Sequence, residues 1–224
     1  MTSYSLPTNY QARLTPQYFN DTLQDAHLWQ ADVYYLAVHL ARHTGVERLV
    51  DIGCGRGGKL LPHASEFKIA GYDYGDNIDY CRQIAPAGNW YSINLNDEVL
   101  APELFKDSVV ICADVIEHLV SPDAFISTLK NAVKTAAYVL VSTPDRERLQ
   151  QGTENGPPAN SAHVREWTEQ EFRTWLQAER LPVVWSGWTI SHEREPSKVN
   201  TILTILASEH TIDDLPLVFE KAYS

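Results

Sequence analysis

Short runs of β-branched and other apolar residues alternate with helical stretches between residues 47 and 142, and this order constrains the fold most strongly. A chain that alternates strands with helices folds into a parallel sheet with helices on both faces. The spacing of apolar residues and turn signals predicts strands at 47–53, 68–73, 89–93, 108–114 and 135–142. It predicts helices at 57–66 and 77–85 and a further helix beginning at Ser121-Pro122-Asp123.

The pattern changes after residue 142. A long polar connection covers 143–167, and Thr168 with Glu171 predicts a capping box at the start of a helix over 168–180. The runs at 182–190 and 200–209 have no helix between them, so they should pair antiparallel. The sequence therefore predicts an α/β fold, a doubly wound, Rossmann-like, mostly parallel seven-stranded sheet with a C-terminal antiparallel hairpin.

The length of 224 residues suits one domain with a sizeable core. Residues 1–44 predict an N-terminal arm and a helix packed on the body, since Trp29, Val33, Leu36 and Leu40 share one helical face. The sequence predicts the main domain over residues 45–210 and a C-terminal tail over residues 211–224.

The composition narrows the class of partner. The formal net charge is −11, from 18 basic and 29 acidic residues, and this disfavours nucleic acid and acidic membranes, which bind clustered Lys and Arg. No apolar run approaches the about 20 residues of a membrane helix, and no secretion signal is visible. Three cysteines form no Cys-x-x-Cys pair. We expect a cytoplasmic protein with a small-molecule partner and leave its oligomeric state open.

A glycine-rich segment, Asp51-Ile52-Gly53-Cys54-Gly55-Arg56-Gly57-Gly58, follows the first predicted strand. Glycines let the backbone turn tightly and approach a ligand closely. Asp73 ends the second strand, where a carboxylate can accept both hydroxyls of a ribose. Gly53, Gly55 and Gly58 also satisfy the dinucleotide pattern G-x-G-x-x-G, so a nicotinamide cofactor stays an alternative. Asp51 favours a cofactor with an ammonium group over a pyrophosphate.

A second group of polar residues follows the fourth strand. If the turn after that strand is helical, Asp114, Glu117 and His118 share one face. His163 lies in the connection after the neighbouring strand, which opens at the same carboxyl edge of the sheet. Two carboxylates and two imidazoles in one cleft suit a metal or acid–base chemistry. The alternative is a helix start that is shaped by packing.

The motif D-x-G-x-G-x-G at 51–57, with the acidic end of strand two, resembles the class I S-adenosylmethionine-dependent methyltransferases. Asn94 stands where that family often has Asp. The resemblance implies S-adenosylmethionine as cofactor and the following binding residues: Asp51, Gly53, Gly55, Gly57, Asp73, Tyr74, Asn94, Leu95 and Asp114.

D-V-I-E-H-L at 114–119 and H-V-R-E-W-T-E-Q-E-F at 163–172 are similar to metal-assisted O-methyltransferases. These include the small-RNA 3′-terminal 2′-O-methyltransferases and the ubiquinone-biosynthesis O-methyltransferases, and G-P-P-A-N-S-A-H-V-R-E-W-T is loosely similar to bacterial glycan-pathway methyltransferases. The resemblance implies that Mn²⁺, Mg²⁺ or another divalent transition metal is bound by Asp114, Glu117, His118 and His163. It implies catalytic roles for Glu117, His118 and His163.

Arg165, Trp167 and Tyr18 are candidates for substrate contact. The alternative for Arg165 is a salt bridge, and the alternative for Trp167 is a buried anchor. The predicted function is methyl transfer to a hydroxyl of a small polar acceptor, such as a sugar, a related polyol or a glycan precursor in carbohydrate biosynthesis. Two alternatives stay open. One is a metal-independent O- or N-methyltransferase with His163 or His118 as general base, and the other is a non-catalytic S-adenosylmethionine-binding protein.

Overall fold

The computed structural model describes residues 3–22, 24–152 and 154–208, and within them seven strands form one sheet. The strands are β1 (Arg48–Ile52), β2 (Lys68–Asp73), β3 (Asn89–Ser92), β4 (Ser108–Ala113), β5 (Tyr138–Pro144), β6 (Val183–Thr189) and β7 (Thr201–Leu206). The α-helices are α1 (Ala31–Thr44), α2 (Asp76–Ile84), α3 (Asp123–Ala132), α4 (Arg146–Leu149) and α5 (Glu169–Ala178).

The strand order is β3-β2-β1-β4-β5-β7-β6. The first five strands of this order pair in parallel, and β7 pairs antiparallel with both β5 and β6. The predicted fold class, including the C-terminal antiparallel hairpin, is confirmed. The sequence order reverses between β1 and β4, which places a topological switch point at their carboxyl ends, where ligands bind in such sheets.

The central strands β1, β4, β5 and β7 are covered on both faces, since they bury nearly all of their side chains. In β1, Val50 packs in a core with α3 and α5, whereas its neighbour Leu49 packs in a second core with α1 and α2. The capping box of α5 is present, since Thr168 Oγ1 accepts from Glu171 N–H and Glu171 Oε2 accepts from Thr168 N–H. Burial on both faces explains the apolar runs that predicted the strands.

Two helix predictions need correction. Residues 57–66 form turns and a short 3-10 helix at Leu61–His63, because Pro62 has no N–H to donate and Gly57 has a positive φ of 72°. The first helix, which was predicted to include Trp29, begins only at Ala31, since Gln30 before it is left-handed with a φ of 58°. Trp29 therefore lies outside the helix and is 39% exposed.

Part of the connection after β5 is hydrogen-bonded to the rest of the domain and buried against it. Arg146 N–H donates to the carbonyl of Trp167, and Val164 N–H donates to the carbonyl of Glu117. Val164 and Trp167 are fully buried. The second half of this connection is thereby fixed beside the turn that follows β4.

The N-terminal segment lies against the same connection. Arg13 N–H donates to the carbonyl of Val164, and Gln17 N–H donates to the carbonyl of Ser161. The predicted tail, 211–224, lies outside the described residues, and the predicted domain limits stay a prediction. Within the described ranges, no helix combines the length and the apolar character needed to cross a membrane.

Trp167→Ala should destabilise the protein strongly. Its ring is fully buried, stacks on Trp175 with centroids 5.2 Å apart, and donates from Nε1 to the carbonyl of Tyr4. Removal of such an aromatic side chain costs about 3–5 kcal/mol of unfolding free energy, measurable by urea denaturation. Trp188→Ala is the control, because Trp188 is 42% exposed. Equal losses in the two variants would contradict this account of the core.

Candidate active site

The chain reverses after β1 in a glycine turn, residues 53–57. Gly53, Gly55 and Gly57 have φ angles of 80°, 54° and 72°, in the left-handed region that favours glycine. A Cβ on Gly53 would collide with the side chain of Val115, and one on Gly55 would lie 2.5 Å from Asp21 Oδ2. Glycine is thus required both for the turn and for close packing against its neighbours.

Asp73 ends β2 and faces the glycine turn. Its Oδ2 accepts from Gly55 N–H and its Oδ1 from Tyr74 N–H, both at 2.7 Å. Burial raises the pKa of Asp73 to about 6. A carboxylate has about four acceptor positions, so Asp73 can still accept from a ribose hydroxyl. The geometry fits the role that the sequence predicts for Asp73.

A cavity of about 740 Å³ opens at the carboxyl edge of the sheet. It brings the glycine turn and the residues after β4 into one chamber. The predicted site residues in its wall are Tyr18, Gly53, Gly55, Asp73, Tyr74, Asn94, Leu95, Asp114, Glu117, His118 and His163.

Asp51 and Gly57 do not line this cavity, which corrects their predicted contact with the cofactor. Asp51 is fully buried behind the turn, where Tyr34 Oη donates to its Oδ2 at 2.8 Å. Burial raises its pKa to about 7. The ring of Trp90 would lie 3.0 Å from a Cβ on Gly57. Asp51 and Gly57 therefore stabilise the glycine turn without lining the cavity.

Glu117, His118 and His163 form a cluster in which one potential ligand atom of each lies within 4.8 Å of the others. Glu117 and His118 belong to a short 3-10 helix, Ile116–His118, directly after β4. His163 reaches them because Val164 N–H is bound to the carbonyl of Glu117 at 2.7 Å. The cluster offers one carboxylate and two imidazoles, a donor set typical of divalent transition metals.

The hydrogen bonds of His118 and His163 define their tautomers. His118 Nδ1 lies 3.0 Å from the carbonyl of Ala162, an acceptor, so Nδ1 carries the proton and Nε2 the lone pair. His163 Nδ1 lies 2.6 Å from Glu166 Oε1 and donates to it. Burial, with His163 as a second cause, lowers the pKa of His118 to about 3. An unprotonated Nε2 is the form that binds a metal ion.

Glu117 has one free carboxylate oxygen. Its Oε2 accepts from Thr143 Oγ1 at 3.0 Å, whereas its Oε1 is buried and has no partner among the described residues. Burial, followed by the charge of Asp114, raises the pKa of Glu117 well above its usual value. A buried carboxylate oxygen without a donor is costly unless a cation or another donor binds it. The cluster therefore fits a divalent cation.

Asp114 is not a member of this cluster, which corrects its predicted role as a metal ligand. The turn after β4 is not a regular helix at this point, since Asp114 has a φ of 54°. Its Oδ2 accepts from Gln30 Nε2 at 2.6 Å and its Oδ1 from Ser142 Oγ at 2.9 Å. Asp114 keeps its place in the cavity wall, beside the N-terminus of α1.

Arg165 and Trp167 do not face the cavity, which corrects their predicted contact with substrate. Arg165 is 4% exposed, donates to the carbonyls of Leu119 and Val120, and stacks over Tyr4. Trp167 belongs to the core. Tyr18 does line the cavity, and its hydroxyl donates to the carbonyl of Tyr74 at 3.0 Å.

Sequence reasoning missed Glu166, Thr143 and Asn160. The spacing of His163 and Glu166, three residues apart, is the signal that could have found Glu166. Asn160 Nδ2 lies 2.9 Å from His163 Nε2, and Thr143 holds Glu117. Asn160 is likewise three residues from His163, whereas the contact of Thr143 with Glu117 depends on the pairing of β5 with β4, and no local pattern indicates it.

A family model described as a methyltransferase domain matches residues 23–183, well over half of the chain. The chain belongs to this family. The resemblance to class I S-adenosylmethionine-dependent methyltransferases is confirmed, and S-adenosylmethionine is the cofactor. Gly53, Gly55 and Asp73 stay the predicted cofactor-binding residues of this cavity.

A ubiquinone biosynthesis O-methyltransferase of Rickettsia akari (strain Hartford) is 29% identical to this methyltransferase over 118 residues. The match covers 50% of this chain and 46% of that protein, so the chain spans about half the length of this curated relative.

Two solved structures show the same fold. The methyltransferase domain of bacterial CtHen1 has a TM-score of 0.56 at 18% identity, with 80% of this chain and 100% of that chain covered. The plantazolicin methyltransferase BamL, in complex with a triazolic desmethyl analogue and SAH, has a TM-score of 0.57 at 12% identity, with 82% and 86% covered.

Asp51→Asn should change how stability depends on pH. The pKa of Asp51 is about 7 in the folded protein and about 3.9 in an unfolded chain. Between these values the folded protein holds a proton that the unfolded chain releases. The contribution of Asp51 to the free energy of unfolding therefore falls as pH rises, by at most about 1.4 kcal/mol per pH unit.

Urea unfolding of the ligand-free protein at about pH 5, 6, 7 and 8 measures this effect. Asn does not titrate, yet its amide oxygen can still accept from Tyr34 Oη. The free energy of unfolding of the wild type minus that of the variant should decrease from the lowest pH to the highest. A difference that does not vary with pH would contradict the raised pKa.

Proposed function

We propose that this methyltransferase transfers the methyl group of S-adenosylmethionine to a hydroxyl of a small polar acceptor, with the help of a divalent cation held by Glu117, His118 and His163. The observation that carries the proposal is a cluster in which a ligand atom of Glu117, His118 and His163 each lies within 4.8 Å of the others, together with Glu117 Oε1, which is buried with no partner among the described residues. The curated relative named for O-methylation supports the choice of oxygen as the methylated atom.

In the proposed mechanism, the protein aligns the cofactor with the acceptor. In the proposed complex, Asp73 and the glycine turn hold the cofactor, and the cluster lines the same cavity. Holding the acceptor oxygen in line with the sulfonium methyl removes much of the entropic part of the barrier. A bound divalent cation would supply the positive charge that lowers the pKa of an acceptor hydroxyl.

The remaining wall supports a polyol or sugar as acceptor. The segments after β5 and before β7 contribute polar side chains to it, including Gln151, Ser191, Lys198 and Asn200, while Phe19 and Trp29 contribute apolar surface. Asn200 Oδ1 is buried with no partner in the described part of the chain, so it suits a hydroxyl donor. A net charge of −11 disfavours an extended polyanion. A small hydroxylated molecule is therefore the proposed acceptor, and a role in carbohydrate biosynthesis in the cytoplasm is proposed with it.

A second candidate is a metal-independent methyltransferase in which His163 is the general base. The 2.6 Å contact of His163 Nδ1 with the buried Glu166 favours it, because a carboxylate that orients a histidine is typical of such bases. His118 has a backbone carbonyl in the same position and is the weaker choice. A non-catalytic S-adenosylmethionine-binding protein is the third candidate, and any turnover excludes it.

Methyl transfer from labelled S-adenosylmethionine to a panel of sugars and polyols tests the proposal. Activity should disappear with excess chelator and return with Mn²⁺ or Mg²⁺. His163→Ala should reduce Mn²⁺ affinity by more than about 100-fold, because the loss of a residue that only supports a metal ligand already lowers metal affinity by about 10–100-fold. It should leave S-adenosylhomocysteine affinity unchanged in calorimetry.

Asp73→Ala is the matched control, with the opposite pattern. It should weaken S-adenosylhomocysteine binding by roughly 1.5–3 kcal/mol, the value of hydrogen bonds to a charged group, and leave Mn²⁺ affinity unchanged. Full-rate turnover in excess chelator, with no metal by elemental analysis, would reject the metal and leave His163 as general base.

A further inference from the structure

Glu166 is a buried carboxylate at the back of the cluster. It is 1% exposed, it contributes to the cavity wall, and its Oε1 lies 2.6 Å from His163 Nδ1. Its other oxygen, Oε2, is buried without a partner among the residues described. His163 is therefore the one hydrogen-bond partner of this carboxylate among the described residues.

Burial of a carboxylate with a single side-chain partner is unfavourable. The neighbouring arginine does not compensate it, because Arg146 donates from Nη1 to the backbone carbonyl of Glu166 and from Nη2 to Glu171. The hydroxyl of Tyr10 accepts from Glu166 N–H. Arg146 and Tyr10 thus bind the backbone of Glu166, whereas its side chain binds His163.

The two ring nitrogens of His163 have different partners. Nδ1–H donates to Glu166, which leaves the lone pair on Nε2. Asn160 Nδ2 lies 2.9 Å from that Nε2, and Asn160 Oδ1 accepts from Ala162 N–H, which defines how the amide is turned. A cation that binds Nε2 must displace the amide of Asn160. Glu166 keeps its contact with Nδ1 in either case.

We propose that Glu166 is a positioning residue for a divalent cation, an inference that rests on the proposed function. Its carboxylate holds the imidazole of His163 in the tautomer that presents Nε2 to Glu117 and His118. Its negative charge also makes His163 Nε2 more basic, so that this nitrogen binds a cation more tightly. Glu166 does not bind the cation itself, since it is not a member of the cluster.

Mn²⁺ titration of the purified protein, followed by electron paramagnetic resonance, tests this inference without any methyl acceptor. Glu166→Ala removes both the hydrogen bond and the charge and should weaken Mn²⁺ binding by about 10–100-fold. Glu166→Gln keeps an acceptor for Nδ1–H and loses only the charge, so its loss should be smaller, about 3–10-fold. Glu147→Gln, at an exposed position of α4, is the matched control and should bind like the wild type.

Three readouts separate positioning from folding. The thermal unfolding midpoint of each metal-free variant and its affinity for S-adenosylhomocysteine should stay close to the wild-type values. The visible spectrum of bound Co²⁺ should change in Glu166→Ala, because a different orientation of His163 alters the ligand field. If Glu166→Ala fails to fold, Glu166→Gln decides, and a Mn²⁺ dissociation constant within about twofold of the wild type overturns the inference.

The outcomes also distinguish this inference from the proposed function. If the wild type binds Mn²⁺ and Glu166→Ala binds it equally, the role of Glu166 is wrong and the metal proposal stands. If the wild type binds no divalent cation, the metal proposal and this inference both fail. Weaker binding in Glu166→Ala, with intermediate binding in Glu166→Gln, supports both.

Discussion

The parallel pairing of β1 with β4 is the constraint on which the site depends. Its register, with Asp51 opposite Ile111, brings the ends of the two strands to the same edge. The glycine turn after β1 and the turn after β4 then touch, since a Cβ on Gly53 would collide with Val115. Cofactor residues and cluster residues share one cavity because these two strands are neighbours.

The second property of the site is its buried negative charge. Asp51 Oδ1, Glu117 Oε1 and Glu166 Oε2 are all buried without partners among the described residues. Such oxygens are destabilising in the free protein and favour cations near them. The sulfonium and ammonium groups of the cofactor and a divalent cation have the complementary charge. Of these three oxygens only Glu117 Oε1 belongs to the proposed cation site, where a cation would bind it directly, whereas Asp51 lies behind the glycine turn and Glu166 behind His163.

The sequence predicted the sheet well because strands buried on both faces carry an unmistakable apolar pattern. It also predicted the glycine turn and the acidic end of β2, since both belong to contiguous motifs. It failed where a residue depends on tertiary contacts. Asp114 has the spacing of a helical face, yet its left-handed backbone turns it toward Gln30 and Ser142.

Arg165 shows the same limit in another form. It was a candidate for substrate contact, but backbone carbonyls of the turn after β4 bind its guanidinium inside the protein. No local pattern reveals that these carbonyls lie there. Glu166 was missed although it is three residues from His163, because that spacing alone does not distinguish a support for histidine from an ordinary polar side chain.

The central claim is that one cavity holds the cofactor and a divalent cation on adjacent walls. A crystal structure of the complex with S-adenosylhomocysteine and Mn²⁺, with anomalous data at the manganese edge, tests it most directly. The account predicts an anomalous peak about 2.0–2.3 Å from Glu117 Oε1, His118 Nε2 and His163 Nε2. It also predicts the ribose hydroxyls on Asp73. A bound cofactor with no anomalous peak at this cluster would contradict it.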